Sequence, residues 1–169
     1  MIDIRKPHWV AAYTKPRNEK KVLERLVGAG VEAYLPLQRT LKQWSDRKKW
    51  VEEPLLRSYI FVRITEREYY HVLGIPGMVR YVMFEGKAAP IPDKQIDMLK
   101  LFMGMDVETE VAEEEILSGE MVEIVGGKLA GFSGEMLRHN GKNKVVVRLE
   151  HISHSILITL PKGLVVRAQ

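Results

Sequence analysis

The pattern of apolar and polar positions is clearest in residues 54–64, which read Pro-Leu-Leu-Arg-Ser-Tyr-Ile-Phe-Val-Arg-Ile. A strand has a period of two, so Ile60 and Val62 lie on one face while Tyr59 and Phe61 lie on the other. The aliphatic face requires a core. The aromatic face, which arginines flank, predicts a docking surface that is left uncovered. The alternative is a strand that helices cover on both faces, because such strands are also almost continuously apolar.

The rest of the first hundred residues alternates short apolar runs with amphipathic stripes. This alternation predicts an α+β domain in which helices pack against a mainly antiparallel sheet. Strands are predicted at 9–14, 31–37, 54–64 and 78–84, and helices at 16–28, 66–73 and 94–103. Trp44 and Trp50 lie on either side of a polar turn, which predicts a hairpin in which the two rings pair.

The segment 105–116 is acidic and has little periodicity, which predicts a linker. It separates an N-terminal domain, 1–104, from a C-terminal domain, 117–169. The second domain is rich in Gly, Val and Ile, and its five short apolar runs between turn residues are typical of a small all-β barrel. The runs are 121–125, 132–138, 145–149, 156–160 and 164–166.

Composition narrows the classes of function. The net charge of +4 suits a polyanionic partner. The chain has no cysteine, which excludes disulfides and cysteine nucleophiles and indicates a reducing compartment. No apolar run reaches the roughly 20 residues that cross a bilayer, and Met1–Pro7 lacks the apolar core of a signal peptide. We therefore expect a cytoplasmic protein with no membrane segment.

The sequence offers no convergent catalytic groups. His151 and His154 have an odd spacing in a β segment, so their side chains point to opposite faces and disfavour a metal site. The glycine-rich stretch 126–131 lacks the Gly-Lys-Ser/Thr ending of a phosphate loop and precedes a strand, which indicates a turn. We expect neither an enzyme nor a bound cofactor or metal.

Four stretches of the first hundred residues carry a family resemblance: Trp9-Val-Ala-Ala-Tyr13, the basic first helix, 54–62 and 90–97. They resemble the N-terminal domain of NusG-type transcription elongation factors. Residues 119–134, Gly-Glu-Met-Val-Glu-Ile-Val-Gly-Gly-Lys-Leu-Ala-Gly-Phe-Ser-Gly, resemble the KOW motif that opens the C-terminal barrel of this family. Residues 53–62 and the basic hairpin are more similar to the specialised RfaH-like and UpxY-like factors than to the housekeeping one. UpxY-like proteins are antiterminators of long capsular-polysaccharide operons, so the resemblance implies that role.

The resemblance also implies binding to RNA polymerase. In the family, an apolar patch of the N-terminal domain contacts the clamp helices of the β′ subunit. The matching positions here are Tyr59 and Phe61 on the central strand, Tyr81 on the later strand and Tyr13 on the first strand. A bound factor would hold the clamp closed and suppress pausing through its different affinities for the two clamp conformations.

Nucleic acid is the second implied partner, because specialised members of the family contact the non-template DNA strand. The cations of the matching first-helix region are Lys15, Arg17, Lys21 and Arg25. An ordinary solvated surface is the alternative for them. Independently of the resemblance, Arg47 and Lys48 at the tip of the predicted hairpin suit contact with a nucleic-acid backbone.

Further partners follow from the same resemblance. The C-terminal barrel of the family binds a small-subunit ribosomal protein and, in the housekeeping member, Rho. Phe132 matches the exposed aromatic residue of the barrel loop, with a place in the barrel core as the alternative. The contact with the β lobe uses His-Thr-Thr in RfaH-like proteins, where this chain has Glu68-Tyr-Tyr-His71.

RfaH-like proteins can refold the C-terminal domain into a helical hairpin, but the β-branched runs 145–147 and 156–158 predict a lasting barrel. We expect a monomer. Two other functions stay open: a housekeeping elongation and termination factor, and a ribosome-associated protein whose KOW barrel binds RNA.

Overall fold

The computed structural model describes residues 5–112, 119–160 and 166–168. The chain has a mixed α/β fold with antiparallel sheets and few helices. Contacts divide it into two compact units, Met1–Asp97 and Met98–Gln169, and each unit is described by itself. The division falls before the domain end predicted at residue 104. Residues 113–116 of the predicted linker lie outside the described residues.

The main sheet of the first unit has five antiparallel strands. β1 (His8–Thr14) lies inside the sheet and pairs along one side with β5 (Tyr59–Ile64). β2 (Glu32–Tyr34) pairs with the other side of β5. β6 (Met78–Tyr81) and β9 (Pro90–Ile91) both pair with the remaining side of β1. The order β2-β5-β1-β6 therefore places the two longest apolar strands in the middle.

One face of this sheet carries the core under two helices, α1 (Glu19–Gly28) and α2 (Tyr69–Leu73). The buried cluster includes Val10, Ala12, Val22, Leu26, Ile60, Val62, Val72 and Tyr81. α1 begins after Pro16, where the sequence predicted its start, because Arg17 has a φ of 62°. This left-handed conformation does not continue a right-handed helix.

The glycine-rich turn before β6 approaches α1 closely. Gly77 has a φ of +96°, and a Cβ atom at this position would lie 2.6 Å from Val22 Cγ2. Both facts require glycine, because an L side chain would be strained and would also meet the helix.

The capping box predicted before the second helix is confirmed. The Thr65 backbone N–H donates to Glu68 Oε2 at 2.8 Å, both side-chain-to-backbone contacts of the box are present, and the Thr65 hydroxyl also donates to Glu68 Oε2 at 2.9 Å. The predicted helix is divided, however, into a 3₁₀ turn at Glu66–Glu68 followed by α2. After β6 come a small hairpin of β7 (Met83–Phe84) and β8 (Lys87–Ala88), then β9 and α3 (Asp93–Met103).

The predicted hairpin is present as a separate two-stranded sheet of β3 (Leu37–Gln43) and β4 (Lys48–Pro54). The predicted pairing of its tryptophans is wrong. Trp50 lies opposite Leu41. Trp44 belongs to the turn instead, and its backbone N–H donates to the Arg47 carbonyl at 2.7 Å. Both rings are more than half exposed.

The second unit contains a six-stranded antiparallel sheet in the order β10-β14-β13-β12-β11-β15. Its strands are β10 (Thr109–Ala112), β11 (Glu120–Ile124), β12 (Ser133–His139), β13 (Lys142–Arg148), β14 (Ser155–Thr159) and β15 (Val166–Ala168). Buried aliphatic side chains of β13 and β14 form its centre. The strands agree with the predicted β runs, although 164–165 lie outside the described residues, and closure into a barrel stays a prediction.

β10 comes from the acidic segment that the sequence predicted as a linker. It pairs with β14, and two carboxylates of this segment contact lysines of β13: Glu108 accepts from Lys142 Nζ at 2.8 Å and Glu110 accepts from Lys144 Nζ at 2.7 Å. Glu110 of β10 and Glu108, which lies just before this strand, therefore each have a lysine partner on β13.

Candidate functional site

Three neighbouring strands bring Tyr13, Tyr59 and Arg80 together, and we call these residues the Tyr13 cluster. Tyr13 lies opposite Tyr59 on one side and Arg80 on the other. The tyrosine ring centroids are 4.9 Å apart, and Arg80 Cζ lies 4.9 Å from the Tyr13 centroid. Because Ala12 and Ile60 face the core under the helices, the alternation of strands places Tyr13 and Tyr59 on the opposite face of the sheet.

The cluster is graded in exposure. Arg80 is exposed, Tyr13 is partly exposed, and Tyr59 is 9% exposed. The Tyr59 hydroxyl donates to the Tyr13 hydroxyl at 3.5 Å. Burial, followed by this hydrogen bond, raises the pKa of Tyr59 to about 12. At neutral pH the Tyr59 phenol is therefore uncharged, and the cluster also contains the guanidinium of Arg80.

The prediction that the aromatic face of β5 is uncovered is wrong for Tyr59, which is buried at 9% exposure, and for Phe61. The Phe61 side chain is fully buried and stacks on Tyr34, with ring centroids 6.5 Å apart. The strand is covered on both faces, although the ring that stacks on Phe61 belongs to a neighbouring strand and not to a helix. One strand's periodicity shows which residues share a face, but the neighbouring strands and helices decide what covers it.

Tyr81 is also buried, at 1% exposure. Its hydroxyl donates to the Tyr69 carbonyl at 2.8 Å, and the two rings lie 4.5 Å apart. Burial is the largest cause of a raised pKa at Tyr81, followed by the neighbouring Tyr69. Tyr81 is therefore part of the core under α2. The prediction that its ring is uncovered is also wrong.

A basic cleft of about 550 Å³ lies beside the start of α1. Its cations are Arg17, Lys20, Lys42 and Arg57, from three separate parts of the chain, and Lys42 pairs with Glu53 in the same wall. Glu19 forms part of the wall, and its buried carboxylate accepts the Ser58 N–H at 2.8 Å. Only Arg17 of the four cations was predicted as a nucleic-acid contact. The others were missed because the sequence shows their charge but not that β3 and the turn before β5 meet the start of α1.

The remaining predicted cations lie elsewhere on the surface. Lys15 and Lys21 are exposed and are not among the residues that line the basic cleft. Arg25 is exposed, and its Nη1 donates to the Pro76 carbonyl at 2.6 Å. Arg47 and Lys48 are exposed at the tip of the β3–β4 hairpin. The structure thus separates the six predicted cations: Arg17 lines the cleft, Lys21 and Arg25 lie on α1, Lys15 lies before that helix, and Arg47 and Lys48 lie at the hairpin tip.

Phe132 of the second unit is partly exposed. It follows a 3₁₀ turn at Gly127–Leu129, in the glycine-rich stretch that the sequence predicted as a turn. Its N–H donates to the Leu129 carbonyl at 3.0 Å, and its carbonyl accepts the Ile124 N–H at 2.8 Å. The backbone at Phe132 is therefore fixed while part of the ring stays in contact with solvent.

Within 5–112, 119–160 and 166–168, no group of three or more His, Cys, Asp or Glu side chains could hold a metal ion. No helix in the same part of the chain is long and apolar enough to cross a membrane.

The fold and these surfaces define a mixed α/β protein with a partly exposed aromatic cluster and a basic cleft on its first unit. The family model described as "Transcription termination factor nusG" matches residues 7–100, which is more than half of the chain. The chain belongs to the NusG family.

Curated relatives and a solved structure agree with this assignment. The chain is 23% identical over 164 residues to the "Transcription termination/antitermination protein NusG" of Streptococcus pyogenes serotype M3 (strain ATCC BAA-595 / MGAS315), a match that covers 88% of this chain and 90% of that protein. The protein of the same name from serotype M1 gives the same values. The structure "Domain interaction in Thermotoga maritima NusG" has a TM-score of 0.52 at 21% identity and covers 92% of this chain and 94% of that one. That likeness shows a shared fold.

Proposed function

We propose that this protein is a non-enzymatic transcription elongation and antitermination factor that binds RNA polymerase through the Tyr13 cluster. The observation that carries the proposal is the cluster itself. Tyrosine and arginine are enriched among the residues that dominate protein interfaces, and here two tyrosines and an arginine are held together by three strands. Strand pairing fixes their backbones, so little conformational freedom would be lost on binding.

The clamp helices of the polymerase β′ subunit are the proposed partner of the Tyr13 cluster. A helix pair presents an apolar ridge that the partly exposed Tyr13 residue can cover, and Arg80 can pair with a carboxylate at the edge of that ridge. No bond is made or broken. Binding that favours the closed clamp over the paused conformation shifts the population away from pausing, to the extent of the difference in affinity. A second contact, with the β lobe, would involve the Glu68–His71 region.

The basic cleft is the proposed contact with the non-template DNA strand. Four cations surround a concave volume large enough for a nucleotide, and phosphates supply affinity that does not depend on sequence. Arg17 and Ser58, which both line the cleft, have φ values of 62° and 61°. Such costly conformations occur often at ligand sites, which supports a binding role for the cleft.

The specialised role is the finer part of the proposal. We expect the factor to act on a few long operons, such as those for capsular polysaccharides. The second unit, as a KOW-type barrel, would recruit a small-subunit ribosomal protein through the partly exposed Phe132, and Rho is a further candidate partner.

The binding test uses the full chain and core RNA polymerase without nucleic acid. Tyr13→Ala should weaken binding by about 2 kcal/mol, or roughly 30-fold in Kd, if Tyr13 is an anchor of the interface. Phe84→Ala is the matched control, because it removes a ring that is 53% exposed on the β7–β8 hairpin. We expect Phe84→Ala to change Kd by less than about twofold. Equal affinities of Tyr13→Ala and the wild type would remove the proposed surface.

A map of where the protein lies on transcribed DNA tests the specialised role. Occupancy of one or a few operons supports it. Genome-wide occupancy would support the housekeeping role instead, which the name of the Streptococcus pyogenes relatives also favours.

A further inference from the structure

The β3–β4 hairpin carries two of the three tryptophans of the chain. Trp9 is 3% exposed in the main sheet, whereas Trp44 and Trp50 are 52% and 55% exposed. Every residue from 41 to 50 is exposed. The large apolar area of a tryptophan ring usually contributes to a core or an interface, so two exposed rings on one narrow arm indicate a binding surface.

The register of the hairpin keeps the two rings apart. Trp50 lies opposite Leu41, and Trp44 belongs to the turn. Arg39 Cζ lies 5.1 Å from the centroid of the Trp50 ring. This cation–π contact orients the indole without covering it, since Trp50 stays more than half exposed.

The charge around the rings selects the kind of partner. Residues 39–50 contain five cations and a single carboxylate. They are Arg39, Lys42, Arg47, Lys48 and Lys49, with Asp46 as the carboxylate. Lys42 pairs with Glu53 farther along the hairpin, while Lys48 and Lys49 begin β4 beside the turn. A polyanion therefore complements the distal half of the arm.

Flat apolar rings among cations suit a polyanion that exposes flat faces of its own. Single-stranded nucleic acid has this chemistry, because its bases can stack on aromatic side chains while lysine and arginine contact its phosphates. In a duplex the base faces are already stacked on one another, so a duplex would use the charge of the arm but not its rings.

We propose that the β3–β4 hairpin is a binding arm for single-stranded nucleic acid, in which Trp44 and Trp50 stack on bases and Arg47, Lys48 and Lys49 contact phosphates. The inference rests on the nucleic-acid contact of the proposed function and adds a second site, distinct from the basic cleft. Its test contains no polymerase, so its failure and a failure of polymerase binding are separate results.

Tryptophan fluorescence provides the first measurement. The full chain is titrated with short oligonucleotides, (dT)n and (rU)n of about 12 residues, a length within the range of single-strand binding sites. Because Trp9 is buried, quenching on binding reports the hairpin rings. The same length of duplex DNA is the comparison. Quenching by either single strand supports the proposal. A preference between (dT)n and (rU)n shows whether the bound strand is DNA or RNA. Tighter binding of the duplex, or binding without quenching, would overturn stacking.

Variants give the second measurement, by anisotropy of a labelled oligonucleotide. Trp44→Ala and Trp50→Ala should each weaken binding by between about fivefold and a hundredfold, the range for loss of one stacked base. Trp50→Phe should restore part of the affinity, which separates stacking from a local loss of structure. Phe84→Ala again serves as the control. Unchanged affinity in a double Trp44→Ala/Trp50→Ala variant would refute the proposal.

The dependence of binding on salt and on the charge of the hairpin provides a third measurement. If three phosphates are neutralised, raising the salt from about 50 to about 200 mM should weaken binding roughly 20-fold. Lys48→Glu should reduce both the affinity and this salt dependence without altering a ring. Trp50→Ala should leave the affinity for core polymerase unchanged, whereas Tyr13→Ala should leave the affinity for the oligonucleotide unchanged. A variant that affects both equally would contradict two separate sites.

Discussion

Lys144 and Glu110 join β13 to β10, and replacing either residue separates the role of charge from the role of packing. The Lys144 side chain is only 2% exposed, and its ammonium donates to Glu110 Oε2 at 2.7 Å. Glu110 Oε1 lies 3.5 Å from His139 Nε2. Glu110→Gln keeps the shape of the side chain but leaves a buried ammonium without its carboxylate.

The loss in the free energy of unfolding caused by Glu110→Gln depends on how much water reaches the ion pair. Removing one member of a fully buried ion pair costs about 3–5 kcal/mol. The Glu110 side chain is 40% exposed, so water can replace part of the lost solvation, and we expect a loss of about 1–2 kcal/mol in the free energy of unfolding. Lys144→Met removes the charge together with its need for a partner and should cost less than about 1 kcal/mol.

The distribution of tryptophans makes the assay specific. Trp9, Trp44 and Trp50 all lie in the first unit, so fluorescence during urea unfolding reports that unit alone, while far-ultraviolet circular dichroism reports both. Glu110→Gln should shift the circular dichroism transition and leave the fluorescence transition in place. If Lys144→Met destabilises as much as Glu110→Gln, packing rather than charge holds the pair, and the reasoning is refuted.

The same pair predicts a dependence on pH. The hydrogen bond from Lys144 is the largest cause of a pKa at Glu110 below its ordinary value of 4.5. Because the folded pKa is the lower one, the contribution is present above the unfolded pKa and is lost as the pH falls through the folded pKa. The stability difference between the wild type and Glu110→Gln should therefore shrink as the pH is lowered from neutral to about 3. A constant difference over this range would contradict the linkage.

Three further substitutions test the first unit. Tyr81→Phe removes the hydroxyl that donates to the part-buried Tyr69 carbonyl, and we expect a loss of about 1 kcal/mol in the free energy of unfolding; an unchanged urea midpoint by fluorescence would contradict a contribution from this hydrogen bond. Gly77→Ala strains a positive φ and meets Val22, so a loss of about 2 kcal/mol or more is expected. Its melting temperature should fall clearly, and a wild-type value would show that the turn relaxes. Glu68→Ala removes the acceptor of the capping box and should cost about 1 kcal/mol, with faster amide exchange at the start of α2 as the local readout and unchanged exchange as the contrary result.

Local patterns were the part of the fold that the sequence predicted well. The alternation in β5 assigned its residues to the correct faces, and the Thr65–Glu68 spacing located a capping box that is present. Both features depend on residues within a few positions of one another. The burial of Phe61 could not be read in this way, because it depends on packing against Tyr34 of another strand.

Register and distant proximity were the parts that failed. Trp44 and Trp50 flank the polar turn in the sequence, yet the turn closes between Trp44 and Arg47 and leaves Leu41 opposite Trp50. Similarly, no local signal indicates that Arg57 lies near the start of α1. The basic cleft therefore required the tertiary structure, whereas the cations of the hairpin could be predicted from their spacing alone.

The projecting β3–β4 arm also has a practical consequence. The chain contains no native thiol, and Ser45 lies exposed in the turn at the end of the arm. Ser45→Cys would thus create a single attachment point for a photoreactive probe within reach of whatever the arm approaches. Crosslinks formed during active transcription, identified by sequencing or mass spectrometry, would name that neighbour directly.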